Sequence, residues 1–544
     1  MILVIAEKPS VAQSIAKVIG AASRKDGYLE GNGYIVSWCV GHLVGLADAS
    51  SYDDRYAKWR YDDLPIIPDE WLFEVPKSKV QQFKVLSSLM KDSRVTELVC
   101  ATDAGREGEL IFRLVYNKAG CRKPFKRLWI SSLEDSAIRD GFKHLRDSSE
   151  LDKLYEAALS RSKADWIVGI NGTRLFSTLY GKKLVVGRVQ TPTLAMLVER
   201  DGKISTFQKE KYFNIHLSDD VLTVYMEKVK SEDEAKQIAA ACDGKQAAVS
   251  LVKKERKTVN PPKLYDLTTL QREANRFFGF TAQQTLDLVQ SLYEKKLLTY
   301  PRTDSQFLTE DMEGTAKSVI DIVLRKLPVF TGVAVEPDIR RVMNNSKVSD
   351  HHAIIPTVQL EKQDVSALPQ SEQRILSLVG MKLLSAVSGK HLFDETQITV
   401  TCQGYEFMAK GKTIVDDGWK NIERRFRASV KSKEKDEETM QLPDVQQDDV
   451  LTSVAASVTE HFTSPPKPYT EDTLLSSMES AGNEDFDEDT EKKGLGTPAT
   501  RAGIIEKLVS GGYVERKGKS LVPTKDGNNL VCILPEQITS PKMT

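Results

Sequence analysis

Apolar residues open the chain in an unbroken run, Ile2-Leu3-Val4-Ile5-Ala6, which predicts a short strand buried on both faces. The spacing then changes: Val11, Ile15, Val18 and Ile19 fall on one side of a helix, and Gly20 supplies its stop. The same switch recurs downstream, where Leu98-Val99-Cys100-Ala101 reads as a second buried strand. It leads through Thr102-Asp103 and a glycine-rich turn into a helix with Leu110, Ile111, Leu114 and Val115 on its apolar face. Strands alternating with helices predict a parallel α/β domain for roughly the first 150 residues.

Beyond it the period shifts three more times. Residues 151–205 read as helical, 206–260 alternate like strands, 263–390 are mostly helical, and 391–460 alternate again, as in Gln397-Ile398-Thr399-Val400-Thr401. Thr268 with Gln271, and Thr281 with Gln284, fit capping boxes that open two helices. The second carries Leu286, Val289, Leu292 and Tyr293 on one face and ends in Lys295-Lys296. This order predicts a β domain interrupted by a helical insertion. Residues 431–449 and 482–493 are polar and predicted to be flexible, and no internal repeat is evident.

Length and composition narrow the class. A chain of 544 residues exceeds one hydrophobic core, and 40% apolar with 28% charged residues is ordinary for a globular protein. No apolar run approaches the roughly 18 residues of a membrane span, and the start, Met1 to Lys8, is charged too early for a secretory signal. A cytoplasmic protein with no membrane partner is expected. The six cysteines form no C-x-x-C pair, which argues against a disulfide framework and a structural zinc site. Net charge is −1, yet residues 155–211 hold ten Lys and Arg against five Asp and Glu, a local +5. The acidic run 484–491 helps to cancel it globally. Such a patch can bind phosphates on an otherwise neutral protein, and an ordinary solvated surface is the alternative.

Three groups of residues carry candidate chemistry. Glu7-Lys8 follows the first strand, and Asp103-Ala104-Gly105-Arg106-Glu107-Gly108-Glu109 follows a later one. Functional groups collect beyond the carboxyl ends of parallel strands, which would bring Glu7, Asp103 and Glu107 together as oxygen ligands for Mg²⁺. In Leu298-Thr299-Tyr300-Pro301-Arg302-Thr303-Asp304-Ser305, the proline keeps Tyr300 extended, and Arg302 points the same way two residues on. A tyrosine titrating near pH 10 needs a cation or base to act as a nucleophile, and Arg302 could grip a phosphate with two donors. In Asp350-His351-His352-Ala353-Ile354-Ile355-Pro356-Thr357, a histidine could donate to a phosphate or move a proton. Taken singly, each has a plainer alternative: exposed turn acids, a packing tyrosine, a structural histidine.

Together these segments resemble the type IA DNA topoisomerase family almost from end to end. The opening is similar to that family's Toprim domain, Tyr300 to Ser305 to its active-site tyrosine motif, and His351 to Thr357 to its histidine segment. Arg161 to Asp165, Gly187 to Leu194, and Gly494-Leu495-Gly496-Thr497-Pro498-Ala499-Thr500-Arg501 agree as well. Six motifs in order are highly specific, and Glu7-Lys8 together with the short chain look most like bacterial topoisomerase III.

The resemblance implies a multidomain α/β plus α and β protein. Its Rossmann-like Toprim domain (1–150) would sit in a four-domain toroid with a helical DNA-binding domain (151–205 and 463–544). A β-rich arch (206–262 and 391–462) and a helical domain carrying the tyrosine (263–390) would complete it. It implies that Tyr300 attacks single-stranded DNA to leave a 5′-phosphotyrosyl bond, with no need for ATP, before strand passage and religation. Lys8 and Arg302 would stabilise the phosphate, Glu7 would protonate the leaving oxygen, and His351 would position the phosphate. Arg161, Asp165, Arg174, Gly187, Arg188, Gln190 and Thr500 would contact DNA. A monomer at the bacterial nucleoid is expected, with a helicase as candidate partner.

Two departures stand out. The family's D-x-D-x-E has Gly105 in place of its middle acid, implying a weaker Mg²⁺ site or one leaning on Glu7, Glu109 or water. The chain also stops at Leu534 to Thr544 where relatives continue, often into zinc modules, implying a truncated chain with weakened DNA capture. Other classes fit less well. Gly512 to Ser520 has five residues between its glycines where a P-loop needs four. A relaxase needs two histidines separated by one apolar residue. A Toprim nuclease or primase leaves Tyr300 and residues 494–500 without a role. A non-enzymatic single-strand binder requires the Gly105 change to have disabled the site.

Overall fold

The computed structural model describes residues 1–348, 351–431, 442–484 and 494–544. Most of the two polar stretches expected to be flexible, and Asp350, lie outside them.

The opening apolar run forms the strand Ile2–Ala6 at the centre of a seven-stranded sheet. It pairs in parallel with Tyr34–Trp38 on one side and Glu97–Ala101 on the other, and the latter pairs in parallel with Phe125–Arg127. The edges are antiparallel, formed by Ser23–Lys25 with Tyr28–Gly31 and by Arg146–Asp147. The wholly parallel sheet expected from the alternation is therefore a mixed one. The edge strands are short and exposed, so they leave no apolar run to read. Helix Pro9–Ile19 ends on Gly20 in the left-handed region, as expected of its stop. Leu3, Ile5, Leu98 and Cys100 pack under one face of the sheet, Val4, Ala6 and Val99 under the other.

Helices Asp152–Tyr180 and Gln190–Ser205 follow. Leu194 and Leu197 share a core with Leu474, Ile505, Leu521 and Leu530 from the far end of the chain. Between these segments stands a second seven-stranded sheet, antiparallel throughout, in which strands from 211–259 interleave with strands from 391–462. Within the stretch read as alternating lies a helix, Glu232–Cys242, capped by Ser231. Its buried side is Ala235, Ile238, Ala239 and Cys242, too weakly apolar to show a helical period.

Residues 263–390 hold helices Leu267–Phe278, Ala282–Glu294, Glu313–Lys326 and Gln370–Val387 around one large core. The capping box of Thr281 and Gln284 is present. That of Thr268 and Gln271 is not: Asp266 caps this helix through the Thr269 amide at 2.6 Å. The helix starts two residues earlier than the box requires, so Thr268 and Gln271 face inward and are fully buried. After Ala282–Glu294 the chain runs extended beside 353–357, with Leu298 bridging Pro356 and the Thr299 amide bonded to the Ile355 carbonyl at 3.0 Å. That short antiparallel contact brings the tyrosine and histidine segments together.

Candidate active site

Ala6 and Ala101 are in register, so the chains leaving these strands carry Glu7 and Asp103 side by side, and the Asp103 amide donates to Glu7 Oε2 at 3.3 Å. Helix Arg106–Lys118 starts beyond the turn. Gly108 is required there, because a Cβ would stand 1.9 Å from the Asp103 carbonyl oxygen. Residues 297–303 close the site from the opposite side. The Tyr300 amide donates to the Ser131 carbonyl at 3.0 Å, its hydroxyl donates to Asp103 Oδ2 at 3.1 Å, and Arg302 Nη1 donates to the same oxygen at 3.1 Å. A cavity of about 330 Å³ opens here, lined by Glu7, Asp103, Glu107, Arg161, Tyr300, Arg302 and His351 and by the Thr497–Thr500 turn.

Burial dominates the electrostatics. It raises the Tyr300 phenol well above its ordinary range, the Asp103 carboxylate adds to this, and Arg302 opposes it. Burial, then Asp103, raises Glu7 to about 7, against Arg302, the Asp103 amide and Lys8. Glu7 is thus a carboxyl poised between its two states near neutrality. His351 is driven down to about 3 by burial and is neutral. Its Nε2 bonds the Ala104 carbonyl, its Nδ1 bonds Ser131 Oγ at 2.9 Å, and its ring centroid lies 4.1 Å from that of Tyr300.

The other expected residues sort by distance from the cavity. Lys8 pairs with Glu294 at 3.2 Å and is not on the cavity wall. Arg161 lines the cavity and continues through Asp165, at 3.8 Å, to Arg188, at 2.8 Å from Asp165. Gln190 opens its helix and Gly187 precedes it, its amide bonded to Thr191 Oγ1. Thr500 closes the capping box of helix Pro498–Ser510 at the cavity rim. Arg174 is buried, its guanidinium held by the Tyr56 carbonyl at 2.7 Å and by Asp48 at 3.6 Å.

Among the described residues, no three His, Cys, Asp or Glu side chains meet in a metal-holding group. Glu107 lines the cavity but turns to His42 at 2.7 Å. Glu109 is out of reach: it is fully buried and paired with Arg113 at 2.7 Å and Arg127 at 3.4 Å. Glu7 and Asp103 nevertheless form a buried pair that raises Glu7, and a Cβ on Gly105 would meet nothing within 4 Å. Two oxygen donors facing open space fit Mg²⁺, which keeps water and is often held by one or two carboxylates.

Several residues of the site gave no motif signal. Arg127, Trp129 and Ser131 stand behind Asp103, His351 and Tyr300, and their alternation with Leu128 and Ile130 was the available sign. His42 is a lone histidine in an irregular stretch, and nothing in the local sequence marks it.

Comparison with known proteins is consistent with this geometry. Residues 2–133 match the Toprim domain, and residues 149–544 match the family described as DNA topoisomerase. DNA topoisomerase 3 of Bacillus subtilis (strain 168) is 40% identical over 563 residues, covering 100% of this chain and 77% of the relative. That of Bacillus licheniformis is 39% identical over 573 residues, covering 100% and 76%. Full-length topoisomerase I from Thermotoga maritima shares the fold with a TM-score of 0.75 at 23% identity, covering 100% of this chain and 84% of that one. Among the described residues no helix is long and apolar enough to cross a membrane. The chain belongs to the type IA DNA topoisomerases, ATP-independent enzymes that cut one DNA strand, pass DNA through the break and reseal it, and it resembles the bacterial topoisomerase III branch.

Proposed function

We propose that Tyr300 is the nucleophile of this topoisomerase and that Glu7, Arg302, Lys8 and His351 serve it. The Tyr300 oxygen forms a bond to a backbone phosphorus of single-stranded DNA, and the bond from phosphorus to the 3′ oxygen breaks. Asp103 Oδ2, which already accepts the phenol hydrogen bond, lies on the path by which that proton departs. Glu7 supplies a proton to the leaving 3′ oxygen, as a carboxyl held near neutrality can. Arg302, and Lys8 on turning from Glu294, balance charge on the phosphate, and the neutral His351 orients it once its Nε2–H leaves the Ala104 carbonyl. Religation is the reverse transfer, from phosphotyrosine to the 3′ hydroxyl. The observation that carries the reading is the meeting of Tyr300 and Arg302 on one carboxylate oxygen beside Glu7.

Mg²⁺ would be held by Asp103, by Glu7 when it is deprotonated, and by Glu107 after release from His42, and would supply positive charge beside the phosphate. Arg161, Asp165, Gly187, Arg188, Gln190 and Thr500 form the path along which the strand reaches the cavity, in the locally basic part of the chain. Arg174 acts on that path through the loop it holds. The enzyme works as a monomer at the nucleoid, with a helicase as the natural supplier of single strands.

The test is abrupt denaturation of the protein with labelled single-stranded DNA and Mg²⁺, wild type beside Tyr300→Phe. An adduct with a free 3′ hydroxyl is expected in wild type alone. An adduct in both would give the nucleophile to another residue.

A further inference from the structure

Residues 127–131 alternate their sides. Leu128 and Ile130 lie against Gly141, where an added Cβ would meet Leu128 Cδ1 at 2.8 Å and Ile130 Cγ2 at 2.6 Å. Arg127, Trp129 and Ser131 reach the opposite way, as residues two apart do on an extended chain. Arg127 is fully buried, and its guanidinium donates to the carbonyls of Thr102 at 2.8 Å and Asp103 at 2.6 Å. The same guanidinium lies 5.4 Å from the centre of the Trp129 ring, which is stacked with His351 at 6.4 Å. Ser131 touches both reacting segments, its hydroxyl on His351 Nδ1 at 2.9 Å and its carbonyl accepting the Tyr300 amide at 3.0 Å.

The partners fix the imidazole's hydrogens. A carbonyl oxygen only accepts, so His351 Nε2, bonded to Ala104, must carry the proton. Nδ1 of a neutral ring is then an acceptor, and the Ser131 hydroxyl must donate to it. Were Nδ1 protonated instead, Nε2 would face the Ala104 oxygen lone pair to lone pair.

We propose that Ser131 is a positioning residue for cleavage. Its hydroxyl anchors Nδ1 of the His351 ring, whose Nε2–H tautomer the Ala104 carbonyl sets, and its carbonyl holds the Tyr300 backbone, so one residue aligns nucleophile and phosphate-orienting donor. Arg127 and Trp129 brace the same strip. This rests on the reading of Tyr300 as nucleophile and His351 as a phosphate contact. Ser131 itself touches no reacting atom, and the effect of its hydroxyl passes through His351.

The experiment compares wild type, Ser131→Ala, Ser131→Thr and Tyr300→Phe in single-turnover adduct formation on saturating single-stranded DNA. The affinity of each for the same strand is measured alongside. Histidine-selective ¹⁵N NMR, assigned with His351→Asn, reads the hydrogen bond at His351 Nδ1. Ser131→Ala is expected to slow cleavage roughly ten- to hundredfold, the range for a small misalignment of a catalytic group, with affinity unchanged and the Nδ1 resonance moved to that of a ring nitrogen without its hydrogen bond. Ser131→Thr should restore both rate and signature. Wild-type cleavage in Ser131→Ala, an unaltered His351 spectrum, or a loss confined to affinity would each overturn the proposal. An adduct in Tyr300→Phe would instead remove the underlying reading, and the proposal with it.

Discussion

The Tyr300 hydroxyl is hydrogen-bonded to Asp103 Oδ2 at 3.1 Å, a contact between residues 197 positions apart. It holds the phenol protonated, because burial and the neighbouring carboxylate both disfavour the phenolate. On the proposed reading, the phenol proton must leave by way of Asp103 Oδ2 before Tyr300 can attack. Asp103→Asn should keep single-strand affinity within about twofold and cut adduct formation at saturating Mg²⁺ by roughly a hundredfold or more. Gel shift and denaturing gel on the same samples check this, and full adduct formation in Asp103→Asn would show that the carboxylate is dispensable.

Glu7 gives a pH signature. Its folded value, about 7, lies above the ordinary 4.5, so the native state keeps a proton that the unfolded chain releases. Stability from this group is present below pH 4.5, falls as pH rises to about 7, and is level beyond. As proton donor, Glu7 should also make metal-limited cleavage decline as pH passes about 7. Both slopes should vanish in Glu7→Gln, and Mg²⁺ should shift the kinetic limb to lower pH by favouring the carboxylate. A limb that stays in Glu7→Gln would belong to another group.

Gly105 occupies the position of the missing acid, at φ 148 with open space around a would-be Cβ. Gly105→Asp has room for its carboxylate but a backbone that L residues avoid, at a cost of about 1–3 kcal/mol. The variant should unfold at a lower temperature and yet need less Mg²⁺ for half-maximal relaxation. An unchanged Mg²⁺ requirement would mean that a third carboxylate here does not reach the cation.

Glu109 separates structural from metal-binding acids. It is fully buried between Arg113 and Arg127. Glu109→Ala leaves Arg127 as a buried unpaired charge, which should cost about 3–5 kcal/mol in denaturant unfolding. The Mg²⁺ requirement of the folded fraction should not move. A raised requirement at unchanged stability would place Glu109 among the metal ligands.

Arg161 and Arg174 lie on one helix and should respond oppositely. Arg161 lines the cavity, so Arg161→Ala should weaken single-strand binding and reduce the slope of log affinity against log salt by about 0.7, one phosphate contact. Arg174 is bound within the protein, so Arg174→Ala should lower stability and leave the salt slope alone. A reduced slope in Arg174→Ala would mean that its guanidinium reaches DNA.

The sequence alone determined the elements whose chemistry is local. An unbroken apolar run such as Ile2–Ala6 has one economical use, a doubly covered strand, and Thr281 with Gln284 satisfies its own helix end. The motifs around Tyr300 and Asp103 also identified the family, because the residue types and their order are rare in combination. What the sequence left open depends on partners far along the chain. Glu109 and Arg174 read as a candidate ligand and a DNA contact, and only packing revealed the cations and carbonyls that occupy them. Asp266 displaced Thr268 as a cap because tertiary burial of Thr268 and Gln271 set where the helix begins. Ser131 carries no motif, and its place became visible when residues 220 apart met at His351. Local periodicity records which face of an element is apolar, whereas the identity of the group that meets it is decided by the register of distant segments.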